Sequence, residues 1–407
     1  MKSRIFTFIE NCRGLIVELQ RELTCRPAVS PDSGGEGELE KALFLQQWLA
    51  AHGICDVERH DAPDVRAKGG VRPNLVVSLP GTNPAAPCLW VMCHLDVVPP
   101  GEGALWESDP WVLVERDGRL IGRGTEDNQQ GLTASVVAAL ALRGCGIQPE
   151  RTIKLLFVAD EECGSVFGID WLLKNRRLFG EGDTALVPDS GDPRGLAIEI
   201  AEKNLLWVRV HTKGLQTHAS RPELGVNAHL AGAALVVALH EELSKKYAAQ
   251  DALFEPPYST FQVTKKEANV PNINTIPGDD VFYLDMRILP CYTNDAVLED
   301  VARIKADIEK RYAVTIGLSV IQAQQSRQVA RDAPVTRALA ECVREVYGEC
   351  PRVTGIGGGT VAAHLRNAGI DALVWGRLDG RAHEPNEYAL VDNIVGDAKV
   401  MALLMLK

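Results

Sequence analysis

The sequence predicts an α/β fold interrupted by an inserted α+β domain, and three observations predict it. From about residue 37 to 200, short apolar runs alternate with helical patterns. Near Leu205 the character changes to half-exposed, alternating strands. After about residue 325 the first pattern returns. Strands that alternate with helices build a sheet covered by helices on both faces. We therefore expect residues 1–202 and 325–407 to form one α/β domain, and residues 203–324 to form a lid-like insert. A length of 407 residues also exceeds one ordinary domain.

Each element has its own signal. Ile5, Phe8, Ile9, Leu15, Ile16 and Leu19 recur at helical spacing, which predicts an amphipathic N-terminal helix packed on the body. Residues 38–52 read as a helix and 73–79 as a strand. Leu89 to Cys93, Ile153 to Val158 and Thr184 to Val187 are short apolar runs, the mark of buried strands. Residues 128–143 form an Ala-, Leu- and Val-rich helix that ends near Gly144. In the insert, LLWVRVHTKG, VFYLDMRIL and VTIGLSVI read as strands, with helices at 226–248 and 294–311. Within VFYLDMRIL, Phe282, Leu284, Met286 and Ile288 share one face and Tyr283, Asp285 and Arg287 the other. A helix at 334–347, the loop GIGGGT, a helix at 360–368 and the strand ALVW complete the chain.

Composition narrows the function classes. Hydrophobic residues make up 46% of the chain, enough for a large core. The net charge of -11 disfavours nucleic-acid and anionic-membrane partners, which require clustered basic surface. No apolar run of about 18 residues exists, so no membrane span is expected. The 10 cysteines include no C-x-x-C pair, and several lie in apolar runs. That disfavours a cysteine-built zinc site and suits a reducing cytoplasm. The charged N-terminus lacks a signal-peptide core.

The chemistry gathers after the apolar runs. His94 and Asp96 follow LWVMC, Asp127 follows GRGTE, and Asp160, Glu161 and Glu162 follow IKLLFVA. Asp189 follows ALVP, and His383 comes after ALVWGRLDGRA. Ligands of open α/β sheets bind at the carboxyl ends of strands. One polar residue after a strand is ordinary turn chemistry, but five such segments point to one site. Carboxylates with imidazoles suit zinc, manganese or cobalt. His94 and Asp96, spaced H-x-D, face the same side of an extended chain. Adjacent Glu161 and Glu162 point apart, which allows one ligand and one free base. A carboxylate shared by two ions would complete a two-metal site.

The segments HLDVVPPGE, LIGRGTEDNQQG, VADEECGS, VPDSG and AHEPNEY, in that order, carry a resemblance. The chain resembles the aminoacylase, carboxypeptidase-G, acetylornithine deacetylase and succinyl-diaminopimelate desuccinylase family of dinuclear zinc hydrolases. The resemblance implies a zinc-exopeptidase-like α/β/α catalytic domain, an inserted lid that forms a dimer, and two divalent ions per chain, zinc first with cobalt or manganese as alternatives. It implies that His94, Asp127 and Asp189 hold one ion, and that Asp127, Glu162 and His383 hold the other. Asp127 would bridge, with a cis peptide to Asn128. Asp96 would hydrogen-bond His94, and Glu161 would be the general base. His218, in GLQTHASRPELGVNAH, would reach a second subunit's site and stabilise the oxyanion. Arg287 and Asn274 would hold a substrate carboxylate, which suits the planar fork of arginine. The loop Gly357-Gly358-Gly359-Thr360 would offer backbone N–H groups to the same carboxylate.

The expected activity is hydrolysis of an amide in a small N-acyl amino acid, with a dipeptidase or carboxypeptidase of the same mechanism as the alternative. Two other classes compete: a two-metal phosphoesterase, and a metal-free binding protein on the same scaffold. The carboxylate-binding lid argues against the first, and the complete ligand set argues against the second.

Overall fold

The computed structural model describes residues 1–407. The chain divides into two compact units. The first contains Met1–Ile200, Val329–Val353 and His364–Lys407; the second contains Ala201–Gln328 and Thr354–Ala363. The second unit thus takes in a short late segment that the sequence reading leaves with the residues after 325.

The first unit is mixed α/β. Its sheet has eight strands in the order 57–63, 71–79, 153–158, 89–94, 184–187, 371–374, 197–202, 352–356. The Leu89–His94 strand runs parallel to Ile153–Val158 on one side and to Thr184–Val187 on the other. Asp371–Val374 runs parallel to Thr184–Val187. Four adjacent strands therefore end on one rim, while 71–79 and 197–202 flank them antiparallel. All six residues from Leu89 to His94 are buried, as their unbroken apolar run requires.

Helix Gln129–Gly144 packs on the Leu89–His94 strand and against helix Val391–Leu404. Residues 129–142 of this helix are all buried, so it shows no amphipathic stripe. Gly131 lets it come close: a Cβ there would stand 2.6 Å from the carbonyl oxygen of Pro188. That contact ties the start of the helix to the strand end before Asp189.

The N-terminal segment departs from its expectation. Two helices, Lys2–Asn11 and Arg13–Thr24, replace one, broken at Cys12 with ψ near 5°. Asn11 and Gly14, both poor helix formers, flank the break. Ile5, Ile9, Ile16 and Leu19 are nevertheless all buried. The strands Val57–Pro63, Ala197–Glu202, Thr260–Lys266 and Arg352–Ile356 escaped the sequence reading. Outward-facing positions break the apolar pattern of three of them, and in the fully buried Ala197–Glu202 the glutamates Glu199 and Glu202 break it.

The second unit has a four-stranded antiparallel sheet in the order 260–266, 279–288, 204–213, 315–324. Helices Ala228–Lys246 and Asn294–Tyr312 pack on one face. Phe282, Leu284, Met286 and Ile288 point into that core with Leu235, Leu239, Val301 and Ile304. Arg287 and Asp285 lie on the other face, as the alternation predicts.

Candidate metal centre

The rim of the first sheet brings three of the five predicted segments together, and loops bring the other two. His94 ends its strand. Asp160, Glu161 and Glu162 follow Val158, and Asp189 stands two residues past Val187. Asp127 arrives differently. It belongs to the turn between the short strand Arg119–Ile121 and helix Gln129–Gly144. His383 lies in the loop before Tyr388–Leu390, a strand paired with Arg119–Ile121. A three-stranded sheet outside the main one therefore holds these two residues near each other.

Asp127 joins the two histidines. Its Oδ1 lies 2.8 Å from His94 Nε2, and its Oδ2 lies 3.2 Å from His383 Nε2. His94 Nε2 is also 3.3 Å from Asp189 Oδ1. His383 Nε2 is 3.1 Å from Glu162 Oε2. Donor atoms of His94, Glu161 and Asp189 lie within 4.8 Å of one another, and so do those of His94, Asp127 and Glu162. The peptide between Asp127 and Asn128 is cis. His383 and Asp160 have φ of 66° and 64°, in the left-handed region where such residues are uncommon.

The electrostatics fit cations. Burial acts to lower the His94 pKa, but the Asp127 and Asp189 carboxylates outweigh it and raise it well above the usual imidazole value. Hydrogen bonds to Asp127 and Glu162 push His383 up to about 10. Burial would raise Asp127, yet His383 and His94 pull it below the ordinary carboxylate range. Burial and the charges of Asp189 and other acids raise Glu161 well above its usual value. Burial likewise raises Glu162. Four carboxylates crowd two imidazoles. Oxygen and imidazole donors with excess negative charge are the set that divalent zinc, cobalt or manganese takes.

Asp96 does its work through both halves of the residue. The expected bond between Asp96 and His94 is made by the Asp96 backbone. His94 Nδ1 lies 2.9 Å from the Asp96 carbonyl oxygen and 3.6 Å from Oδ1. A carbonyl only accepts, so Nδ1 carries the proton and Nε2 faces the cluster. The Asp96 carboxylate accepts instead the backbone N–H groups of Glu161 and Glu162, each at 3.0 Å.

Residues that sequence reasoning missed support this cluster. Asn128 Nδ2 donates to Pro188 O and to Asp189 Oδ1, both at 2.7 Å, and so orients a predicted ligand. Buried Arg72 pairs with Glu38 through Nε at 2.7 Å and with Asp160 Oδ1 at 3.1 Å, behind the Glu161–Glu162 turn. Glu126 and Glu387 bond the loops that carry Asp127 and His383. Their only sequence signal was position: Glu126 precedes Asp127, and Glu387 lies within the AHEPNEY motif.

The second unit holds the remaining predicted residues. His218 is exposed, in a two-residue strand paired with Thr275–Ile276. Its Nδ1 accepts the backbone N–H of Ser220 at 3.2 Å, which leaves Nε2 as the donor of the neutral ring. Asn274 Oδ1 accepts from Asn272 Nδ2 at 2.5 Å, and its carbonyl accepts from Ala219 N. Arg287 is already engaged, through Nε to Asp285 Oδ1 at 2.7 Å and through Nη1 to Gly357 O at 2.8 Å. The Thr360 N–H and hydroxyl are held by Glu202 at 2.9 and 2.7 Å.

A mixed α/β sheet, an acidic cluster on its rim and a second antiparallel unit define the class of metal-dependent hydrolases acting on amide bonds. The sequence profile of Peptidase family M20/M25/M40 matches residues 90–407, and the chain belongs to that family. An uncharacterized metallohydrolase of Methanococcus maripaludis is 34% identical over 406 residues, covering 94% of this chain and 97% of the relative. A succinyl-diaminopimelate desuccinylase of Bordetella petrii is 29% identical over 378 residues, covering 91% and 92%. The solved structure of human carnosine dipeptidase 1 shares the fold, with a TM-score of 0.70, 19% identity and 100% and 99% of the two chains covered.

Proposed function

We propose that this hydrolase cleaves the amide bond of a small N-acyl amino acid, as a deacetylase- or desuccinylase-like deacylase. A pair of divalent ions, zinc first with cobalt or manganese as alternatives, would be held by His94, Asp127, Glu162, Asp189 and His383. The observation that carries this reading is the double engagement of Asp127, 2.8 Å from His94 and 3.2 Å from His383. When bound, such ions polarise a carbonyl and acidify water.

The chain's own residues do the rest. Glu161 accepts the proton of the attacking water and passes it to the leaving amine. Its burial among like charges favours the protonated form, which suits the second of these tasks. Asp96 fixes the Glu161 backbone and the His94 tautomer. His218 presents Nε2–H to the developing oxyanion. Arg287, Asn274 and the N–H groups of Gly358, Gly359 and Thr360 form the pool of donors for the substrate's carboxylate. Of these, Arg287 would first have to leave Asp285 and Gly357, and the Thr360 N–H would have to leave Glu202.

The protein would act as a homodimer through the second unit, with His218 serving the site of a second copy. Exposed Leu230 and Val237 on helix Ala228–Lys246, and Val320 and Ile321 on the edge strand Thr315–Gln324, support such a contact. No helix is long and apolar enough to cross a membrane. The ten free cysteines suit the reducing cytoplasm as its compartment. A dipeptide is the second substrate class, since the same residues would cut either amide.

A panel of N-acetyl and N-succinyl amino acids and dipeptides, assayed after loading with zinc, cobalt or manganese, tests the reading. Turnover is expected on an acyl amino acid. Turnover on dipeptides alone would favour the second class, and no turnover on any amide with any of the three metals would overturn both.

A further inference from the structure

Two buried glutamates exchange places across the metal centre. Glu126 directly precedes Asp127, yet its carboxylate accepts the backbone N–H groups of Asp379 at 2.6 Å, Gly380 at 3.1 Å and Arg381. Those three residues lie in the loop that carries His383. Glu387 lies four residues past His383, yet its carboxylate accepts the N–H groups of Gly124 at 2.9 Å, Glu126 at 2.9 Å and Asp127 at 3.0 Å. Arg123 Nη1 adds a 2.6 Å ion pair to Glu387. Both glutamates are buried. Each loop thus supplies the anion that organises the backbone of the other.

We propose that Glu126 and Glu387 are positioning residues that set the affinity of the centre for its ions, and that they do so unequally. This inference rests on the dinuclear reading above. The Glu126 carboxylate fixes only the loop of His383, a ligand of a single ion position. The Glu387 carboxylate fixes the backbone of Asp127, which would serve both positions. Charged acceptors facing several N–H groups make strong bonds. An amide at the same place offers its NH2 to those donors and breaks at least one bond. Support of this kind behind metal ligands alters affinity by about 10–100-fold. Loss of the Glu126 carboxylate therefore weakens one ion position. Loss of the Glu387 carboxylate weakens both.

Cobalt titration of the full-length apoprotein, followed by visible absorption and calorimetry, tests this without reference to turnover. The wild type is expected to bind two ions per chain. Glu126→Gln is expected to keep one ion at near wild-type affinity and to bind the other at least about tenfold more weakly. Glu387→Gln is expected to weaken both. Glu126→Asp, which keeps the charge but shortens its reach, should fall between Glu126→Gln and the wild type, and it replaces Glu126→Gln if that variant fails to fold. Two ions bound by Glu126→Gln at wild-type affinities would overturn the proposal, as would equal weakening of both positions in both glutamine variants. A wild type that binds no cobalt would overturn the dinuclear reading itself and the proposal with it.

Discussion

The Asp96 carboxylate accepts the backbone N–H of Glu161 at 3.0 Å and, through its second oxygen, that of Glu162 at the same distance. One buried side chain therefore sets the turn that presents both the proposed base and a proposed ligand. Asp96→Asn keeps the shape but turns one acceptor into a donor facing an N–H. Metal affinity, measured by competition with a chelator, should fall about 10–100-fold, and turnover should fall with it. Unchanged affinity and turnover would remove Asp96 from the machinery.

Glu161→Gln separates the base from the ligands. The amide cannot take a proton, so kcat should fall by about 10²–10⁴-fold. The ligand set of His94, Asp127, Glu162, Asp189 and His383 is untouched, so the metal content measured by plasma mass spectrometry should stay at the wild-type level. A variant stripped of metal would mean that Glu161 is itself a ligand, a role its closeness to His94 and Asp189 makes geometrically accessible.

His218→Ala should lower kcat about 10²–10³-fold, the usual cost of one lost oxyanion donor, and leave metal content unchanged. If His218 serves a second copy, mixing His218→Ala with Glu161→Gln chains should restore part of the activity by pairing one intact site in the mixed dimer. Mixtures as inactive as their parents would rule out action between chains.

Lys41 gives a pH prediction. It is buried in helix Leu39–Ala51, and burial lowers its pKa from 10.5 to about 8, although Asp96, Glu38 and Glu387 pull the other way. The folded state thus disfavours the charged form. Between about pH 8 and 10.5 the unfolded chain binds more protons, so stability from this group rises with pH across that window. Below about 8 the full cost is present, about 3 kcal/mol for a shift of this size. Lys41→Met should be more stable than the wild type at pH 7 by up to that amount, with a gap that narrows toward pH 10.5. Chemical denaturation across this range checks it; a variant less stable at pH 7 would show that the acids around Lys41 outweigh its burial.

Much of the fold was legible in the sequence because burial writes itself as pattern. The runs Leu89–Cys93, Ile153–Val158 and Thr184–Val187 read as buried strands, and each is one. The alternation through Phe282 and Ile288 assigned the faces of their strand correctly. The strand ends pointed to His94, Glu161, Glu162 and Asp189, because the carboxyl ends of parallel strands share a rim. The support behind them left no such trace. Glu387 bonds Asp127 across 260 residues of chain, and Asn128 bonds Asp189 across 61, with no periodicity to announce either. For Asp96 the residue was legible but the atom was not, because spacing cannot tell a carbonyl from a carboxylate.

Anomalous diffraction from zinc-loaded crystals tests the central claim most directly. Two peaks about 3.5–4 Å apart, with the Asp127 carboxylate between them, are the expected result. A single peak, or a pair that Asp127 does not bridge, would contradict it.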